Sequence, residues 1–503
     1  MPPDVPNKRN RLVKNSIYGL LSWIFPILPT MIATPMVLDS LGKERYGLFV
    51  VILGFISYFF TTGIGKVAAK YVAEYRATGE TEKISAIISS TILLGMGATL
   101  IGTAAVIVFS RPIIADILRI PPELQNDAVM ALYLGCATIV SIMLGQVFQL
   151  VLQGLHRFDR YLLLTNLSSI SFSVGSVIMV LNGFGVIGLL CLNLVSATAI
   201  GILSYFMAKK LLPEFKFTVR IGGDTWRTVS RYAASLIAYQ IFGSVLLLFE
   251  RAWIVRQFGV EALTYYAIPM TLAMYLHLFV GAVVLAVFPM ANELLTERAK
   301  LITLYQKFTK LIFTLVVFTV LSVVVGGRLF LSLWLGDEFA AVASSLLIIH
   351  VITFGVLAMN IIAWQIAETF RAAWLNALGT FVWMTVSILL MIGLSDGWQT
   401  FGIAVARTAG VLIFIPQIFL IEKYFLGGIL WRFWGAISMR IAFAAVLALT
   451  AEWLLISGLG RSWMVFAAAI LFGAVLYLGG LLITRFFDES ERQLFSEMLA
   501  KYR

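Results

Sequence analysis

Charge is scarce in this chain. Only 13% of its 503 residues are Asp, Glu, Lys or Arg, about half the share of an ordinary soluble domain. So little charge, set against 60% hydrophobic residues, excludes a soluble globular protein and demands lipid as the solvent for the surplus apolar surface. Cysteine is scarcer still. Cys136 and Cys191 both lie in apolar runs, which excludes a disulfide framework and a thiolate metal site. His277 and His350 are lone histidines on apolar stretches and read as packed core residues, and His156 stands in a basic loop. No connection is long enough for a soluble catalytic domain, so the chain is not expected to be an enzyme, and neither a cofactor nor a metal is called for. A cleavable signal peptide is not expected either. The opening MPPDVPNKRNRLVKN is basic, but the apolar run after it is long and has no small-residue cleavage site.

What is present is a recurrence of apolar runs, each near the roughly 20 residues that cross a bilayer as a helix. The expected fold is an all-α polytopic membrane protein with about fourteen spans. The spans that matter below are one (17–38), two (46–65), seven (232–255), eight (265–290), twelve (401–421), thirteen (436–456) and fourteen (463–483). A basic helical extension, 66–83, follows span two, and the polar stretches 209–231 and 292–310 link later spans. Lys and Arg supply a net charge of +11. Their concentration in alternate loops argues for membrane topology rather than nucleic acid, and it places both termini in the cytoplasm.

Self-comparison reveals a repeat. A shift of 217 residues lays Leu41-Gly42-Lys43-Glu44 on Phe258-Gly259-Val260-Glu261 and Arg111 on Arg328. A shift of 214 lays Gly183 on Gly397 and Gly188 on Gly402. Matches in order at nearly one offset imply two six-helix halves of like orientation. The expected organisation is a first lobe (1–210), a cytoplasmic linker (211–231), a second lobe (232–422), and an additional helix pair with a cytoplasmic tail (423–503).

Proline and charge mark the candidate functional positions. Pro26, Pro29 and Pro35 all fall in span one. Each removes a backbone hydrogen bond, so the span is expected to bend, with Pro26 and Pro35 as gating residues. The corner LGKERYG, with Glu44 and Arg45 at the interface, anchors its end. Ionisable residues at membrane depth are costly and face a cavity or a partner. Those here are Glu250 and Arg251 in span seven, Arg407 in span twelve, Asp39 and Lys66 at span ends, and Glu452 in span thirteen. Arg251, Arg407 and Lys66 suit an anionic headgroup such as a lipid diphosphate, since a guanidinium fork grips phosphate bidentately. Gln240 and Asn193 are polar cavity candidates, with Gln146, Gln149, Asn166, Asn360 and Gln365 behind them. Glu250 and Asp39 are the candidates for coupling to H+ or Na+. A local ion pair within Glu250-Arg251 is the alternative reading of those two.

The pattern Thr34-Pro35, Leu41-Gly42, Glu44 and Tyr46-Gly47 resembles the opening of the polysaccharide biosynthesis exporters, the O-antigen flippase family. The loop Gln153-Gly154-Leu155-His156-Arg157-Phe158 resembles the same family's loop after its fourth span. The resemblance implies the multidrug/oligosaccharidyl-lipid/polysaccharide flippase superfamily, with two MATE-like six-helix lobes working by alternating access. It also implies that the extra helix pair is similar to that of lipid II flippases. The expected function is export of a polyprenyl-diphosphate-linked glycan across the cell membrane, with membrane lipid around it and a polysaccharide polymerase as a further partner. A cation-coupled multidrug antiporter of the same fold is the alternative.

Overall fold

The structure, a computed structural model, describes residues 27–59, 65–219, 221–284 and 287–488. These residues are almost wholly helical, with no strand among them. In chain order the helices are α1 (Ile27–Leu41), α2 (Lys43–Phe59), α3 (Gly65–Thr78), α4 (Glu82–Val108), α5 (Pro122–Gly154), α6 (Phe158–Leu181) and α7 (Val186–Leu211). There follow α8 (Gly223–Val283), α9 (Val287–Glu293), α10 (Arg298–Leu335), α11 (Asp337–Thr369), α12 (Ala373–Val411), α13 (Phe414–Ile421), α14 (Trp431–Gly458) and α15 (Trp463–Ile483). Ten helices among the described residues are long and apolar enough to cross a membrane. The two longest apolar stretches, Gln240–Val283 and Ala373–Leu426, each take in most of two of the expected spans, and α1 is the described part of span one.

Pro26 lies outside the described residues. Pro29 and Pro35 stand inside α1, which runs unbroken to Leu41. The polar corner then shrinks to one residue: Gly42, at φ +75°, turns the chain and α2 begins at Lys43. Only glycine adopts such a backbone without strain. Two further expectations change. The stretch 209–231 is not all linker, since α8 already starts at Gly223. Nor is 292–310, since α10 starts at Arg298.

The repeat is written in the backbone as well as in the residues. Left-handed positions at Gly42, Arg119, His156 and Gly183 recur at Gly259, Gly336, Arg371 and Gln399, between 215 and 217 residues later. Gly259 and Gln399 break α8 and α12 internally, so each of these long helices is two helices joined at a kink. This corrects the expected match of Gly183 to Gly397, because Gln399 occupies the conformational equivalent and brings that corner close to the common offset. Four corners out of register with chance, and in step with one another, are stronger evidence than any residue match.

The chain forms two compact units. One takes the described residues up to Ala267 together with Asn376–Gly410. In it α5 is central, packed on α2, α3, α4 and α7. Its crossing with α7 is close because Gly145 faces Gly201, where a Cβ on Gly145 would come within 2.8 Å of the Gly201 Cα. Small residues at a crossing let two backbones approach and gain dispersion energy that lipid cannot match. The polar segment after α7 is anchored on this unit. Phe215 is buried beside Phe148, and the backbone N–H groups of Lys216 and Thr218 donate to Ser85 and Ser89 of α4 at 3.3 and 3.1 Å.

The other unit takes Ile268–Leu375 and the described residues from Val411 onward. Here α10 packs on α11 and on α14, and α14 packs on α15. Glu422 is fully buried at the join to the last helix pair. Its carboxylate accepts from Tyr305 Oη at 2.8 Å, Trp434 Nε1 at 2.7 Å and the Leu430 N–H at 3.0 Å. Three donors satisfy a charge that would otherwise be prohibitive in this setting.

Candidate functional site

Glu250 lies about two and a half turns before the Gly259 kink, and Tyr266 lies about two turns beyond it. The kink lets α8 present both side chains to one point. There Arg407, from the second half of α12, enters with its guanidinium 2.5 Å from Glu250 Oε2. Tyr266 donates its hydroxyl to Glu250 Oε1. Trp383, from the first half of α12, lies under the guanidinium with its ring centre 5.2 Å from Cζ. Its indole N–H reaches the Arg407 carbonyl at 3.3 Å. Glu250 is 0% exposed and Arg407 1%. A pair so deeply buried adds little net stability, because desolvation cancels most of the attraction, but removing one partner costs about 3–5 kcal/mol. The folding-back of α12 that stacks Trp383 on Arg407 depends on Gly410, where a Cβ would meet the Trp383 carbonyl and Ser387.

Arg251, the next residue, points elsewhere. It is half-buried, and its Nη1 donates to the Val50 carbonyl of α2 at 2.8 Å. Gly54 leaves the room: a Cβ there would overlap the Arg251 side chain. Glu250 thus pairs with Arg407, on another helix, and not with its neighbour in sequence.

A second constellation joins the first corner to its repeat mate. Thr264 Oγ1 donates to the Lys43 carbonyl at 2.6 Å, and Lys43 Nζ stands 5.2 Å from the Tyr265 ring centre. A Cβ on Gly47 would overlap the Val260 carbonyl. The 217-residue offset exchanges Lys43 with Val260 and Gly47 with Thr264. The Lys43–Thr264 and Gly47–Val260 contacts are therefore symmetry mates, the mark of a self-complementary contact between equivalent elements.

The remaining sequence candidates are dispersed. Lys66 is exposed at the start of α3 and Asp39 is exposed near the end of α1. Asn193 on α7, Gln240 on α8 and Pro35 on α1 are half-buried. Glu44 and Arg45 are exposed, in keeping with an interfacial corner, and His350 is fully buried. Residue-type reasoning missed Tyr266 and Trp383, because aromatic residues are ordinary in apolar spans. Only the offset could have flagged Tyr266, whose mate is Phe49, as a hydroxyl added where its twin has none. Among the described residues no group of histidine, cysteine and carboxylate side chains could hold a metal ion.

Residues 12–295 match the polysaccharide biosynthesis protein family. A Shigella flexneri protein named as a candidate O-antigen transporter is 21% identical over 418 residues, which cover 80% of this chain and 95% of that protein. Among solved structures, the lipid II flippase MurJ in an inward closed conformation is similar at TM-score 0.66 and 14% identity, covering 95% of this chain and 98% of its own. An inward-facing multidrug resistance MATE family transporter of the MOP superfamily gives TM-score 0.62 at 16% identity, covering 82% and 95%. A MOP superfamily transporter from Pyrococcus furiosus gives 0.61 at 16% identity, covering 85% and 96%. The fold is that of these transporters, and with more than half of its length matched the chain belongs to the polysaccharide biosynthesis protein family.

Proposed function

We propose that this protein is a flippase that moves a polyprenyl-diphosphate-linked glycan from the inner to the outer leaflet of the cell membrane by alternating access. The observation that carries the reading is the placement of Arg251 and Arg407 inside candidate membrane spans of a chain that belongs to a polysaccharide biosynthesis family. Charge at that depth is retained only where it serves a function or a partner, and a guanidinium is the group suited to a diphosphate. In the state described, Glu250 holds Arg407. An anionic headgroup would compete with that carboxylate, while Arg251, half-buried, is the first cation the headgroup meets. The relatives bear transporter and flippase names, and none supports an enzyme.

The finer points belong to the same proposal. Both termini face the cytoplasm, the two repeat halves act as rocking lobes (1–210 and 232–422), and the Lys43–Thr264 and Gly47–Val260 contacts close the outer side. Lys66, Gln240 and Asn193 line the path, coupling to H+ or Na+ falls to a carboxylate such as Glu250 or Asp39, and a polymerase receives the product. A multidrug antiporter has weaker support. A membrane-embedded acid in the first lobe would serve such a pump, yet the mate of Glu250 is Ala33 and Asp39 is exposed.

The test is the accessibility of lipid-linked glycan at the cell surface after depletion of the protein. Accumulation in the inner leaflet, reversed by wild type and not by Arg251→Ala, supports the reading. Undiminished outer-leaflet glycan in depleted cells that hold no second such transporter overturns it.

A further inference from the structure

Three carboxylates stand fully buried among the described residues: Glu250, Glu422 and Glu452. Glu250 has Arg407 and Tyr266, and Glu422 has three donors. Glu452, on α14, has one. Ser322 of α10 donates its hydroxyl to Oε1 at 2.8 Å, and the buried Oε2 has no partner. The carboxyl is seated in a notch on α15, where Gly473 offers no side chain and a Cβ would overlap Oε1. Three helices thus meet around one acid.

Among the described residues, the surroundings supply no countercharge. Helix α15 carries no charged residue along its length, and its Tyr477 donates to the Thr314 carbonyl instead. On α10, Arg328 is exposed and nearly two turns beyond Ser322, while Lys310 lies more than three turns before it, near Asp488. On α14, Arg440 is three turns away and binds the Arg485 carbonyl, and Arg432 is farther still. Arg461, in the α14–α15 loop, pairs with Asp337. A hard cation takes six or more oxygen ligands; Glu452 and Ser322 together bring three. A bare carboxylate here would forfeit its hydration with nothing to offset the loss.

We propose that Glu452 is a proton-binding site built into the appended helix pair. The carboxyl binds H+ and is held as the neutral acid while α14 and α15 are seated on α10. Release of the proton to water leaves a carboxylate that the Ser322–Gly473 notch does not hold, so proton exchange is tied to unseating of the pair. The proposal does not depend on which substrate the lobes carry.

The experiment treats the full-length protein in native membranes at neutral pH with a lipid-soluble carbodiimide, which modifies protonated carboxyls in apolar surroundings, and maps the adduct by peptide mass. The expected result is an adduct on Glu452. Gly473→Ala, which fills the notch, should lower that labelling at least several-fold, whereas Ser322→Ala should retain it. Wild-type protein without an adduct at Glu452 at any pH from acid to alkaline overturns the proposal, as does labelling indifferent to Gly473→Ala. Because the readout is covalent labelling, its failure would leave the flippase reading untouched, and failure of glycan export would leave this one standing.

Discussion

In the first half of the repeat, position 33 is a buried alanine, 49 a buried phenylalanine, and 193 a half-buried asparagine. At or near the same offsets the second half has Glu250, Tyr266 and Arg407, joined in one buried network. Position 39 is an exposed aspartate; its mate Arg256 has the opposite sign and donates to the Asp116 and Ile117 carbonyls at 2.6 and 3.2 Å. The corners around these residues nevertheless share their left-handed backbone. The difference teaches that backbone geometry and buried chemistry are separable properties of a repeat. Turns are set by local dihedral preference and survive in both halves, while ionic groups are free to collect in one.

The largest test of this contrast removes the chemistry from the second half. Arg407→Ala alone strands Glu250 and should cost about 3–5 kcal/mol, read as the loss of folded protein in detergent unfolding. Glu250→Ala with Tyr266→Phe and Arg407→Leu makes the second half as apolar as the first. Because replacing a whole buried pair by apolar groups is close to neutral, this triple variant should fold within about 2 kcal/mol of wild type and fail to export glycan. A triple variant that still transports would show the network to be packing alone.

Next in size is the meeting of the two corners. Gly47→Ala pushes a methyl onto the Val260 carbonyl, a backbone group that cannot swing away, and should cost about 1–3 kcal/mol. Thr264→Ala, at the mate position, forfeits one hydrogen bond and should cost about 1 kcal/mol. Equal penalties would mean that the contact is less close than its geometry.

A smaller effect concerns the backbone corner itself. Gln399, at φ +49° and ψ −135°, sits in a region glycine tolerates best. Gln399→Gly should stabilise by about 1 kcal/mol, seen as a rise of a few degrees in the unfolding midpoint, whereas Gly183→Ala in the first half should destabilise by about 1 kcal/mol. Smallest of all is Asp39→Asn, which should stay within about 0.5 kcal/mol, against about 1.5 kcal/mol for Arg256→Ala through its two carbonyl bonds. Matching losses at 39 and 256 would contradict the sign reversal.

Much of the fold was legible beforehand because lipid imposes a coarse code: long apolar runs, polar corners, and glycine where the chain must turn left-handed. The Leu41-Gly42 to Phe258-Gly259 match proved to be a true conformational repeat for that reason. The Gly183 to Gly397 match missed by two residues because glutamine took the glycine-type position at 399, which no identity search detects. The site was legible only in part. Glu250 and Arg407 announced themselves as charge at membrane depth, but the bond between them spans two helices and a kink.

By itself, then, the sequence determined that the chain crosses a membrane repeatedly, that its halves repeat, and which few residues bear charge inside the apolar spans. Those properties follow from composition and local dihedral preference, which act along the chain. Only the tertiary structure decided that Glu250 binds Arg407 rather than Arg251, that the corner at Gly42 rests against its own mate through Gly47 and Val260, and that Glu452 faces a serine and a glycine instead of a cation. Partner choice among buried polar groups is settled by which helix faces pack, and close packing depends on contacts between residues far apart in sequence.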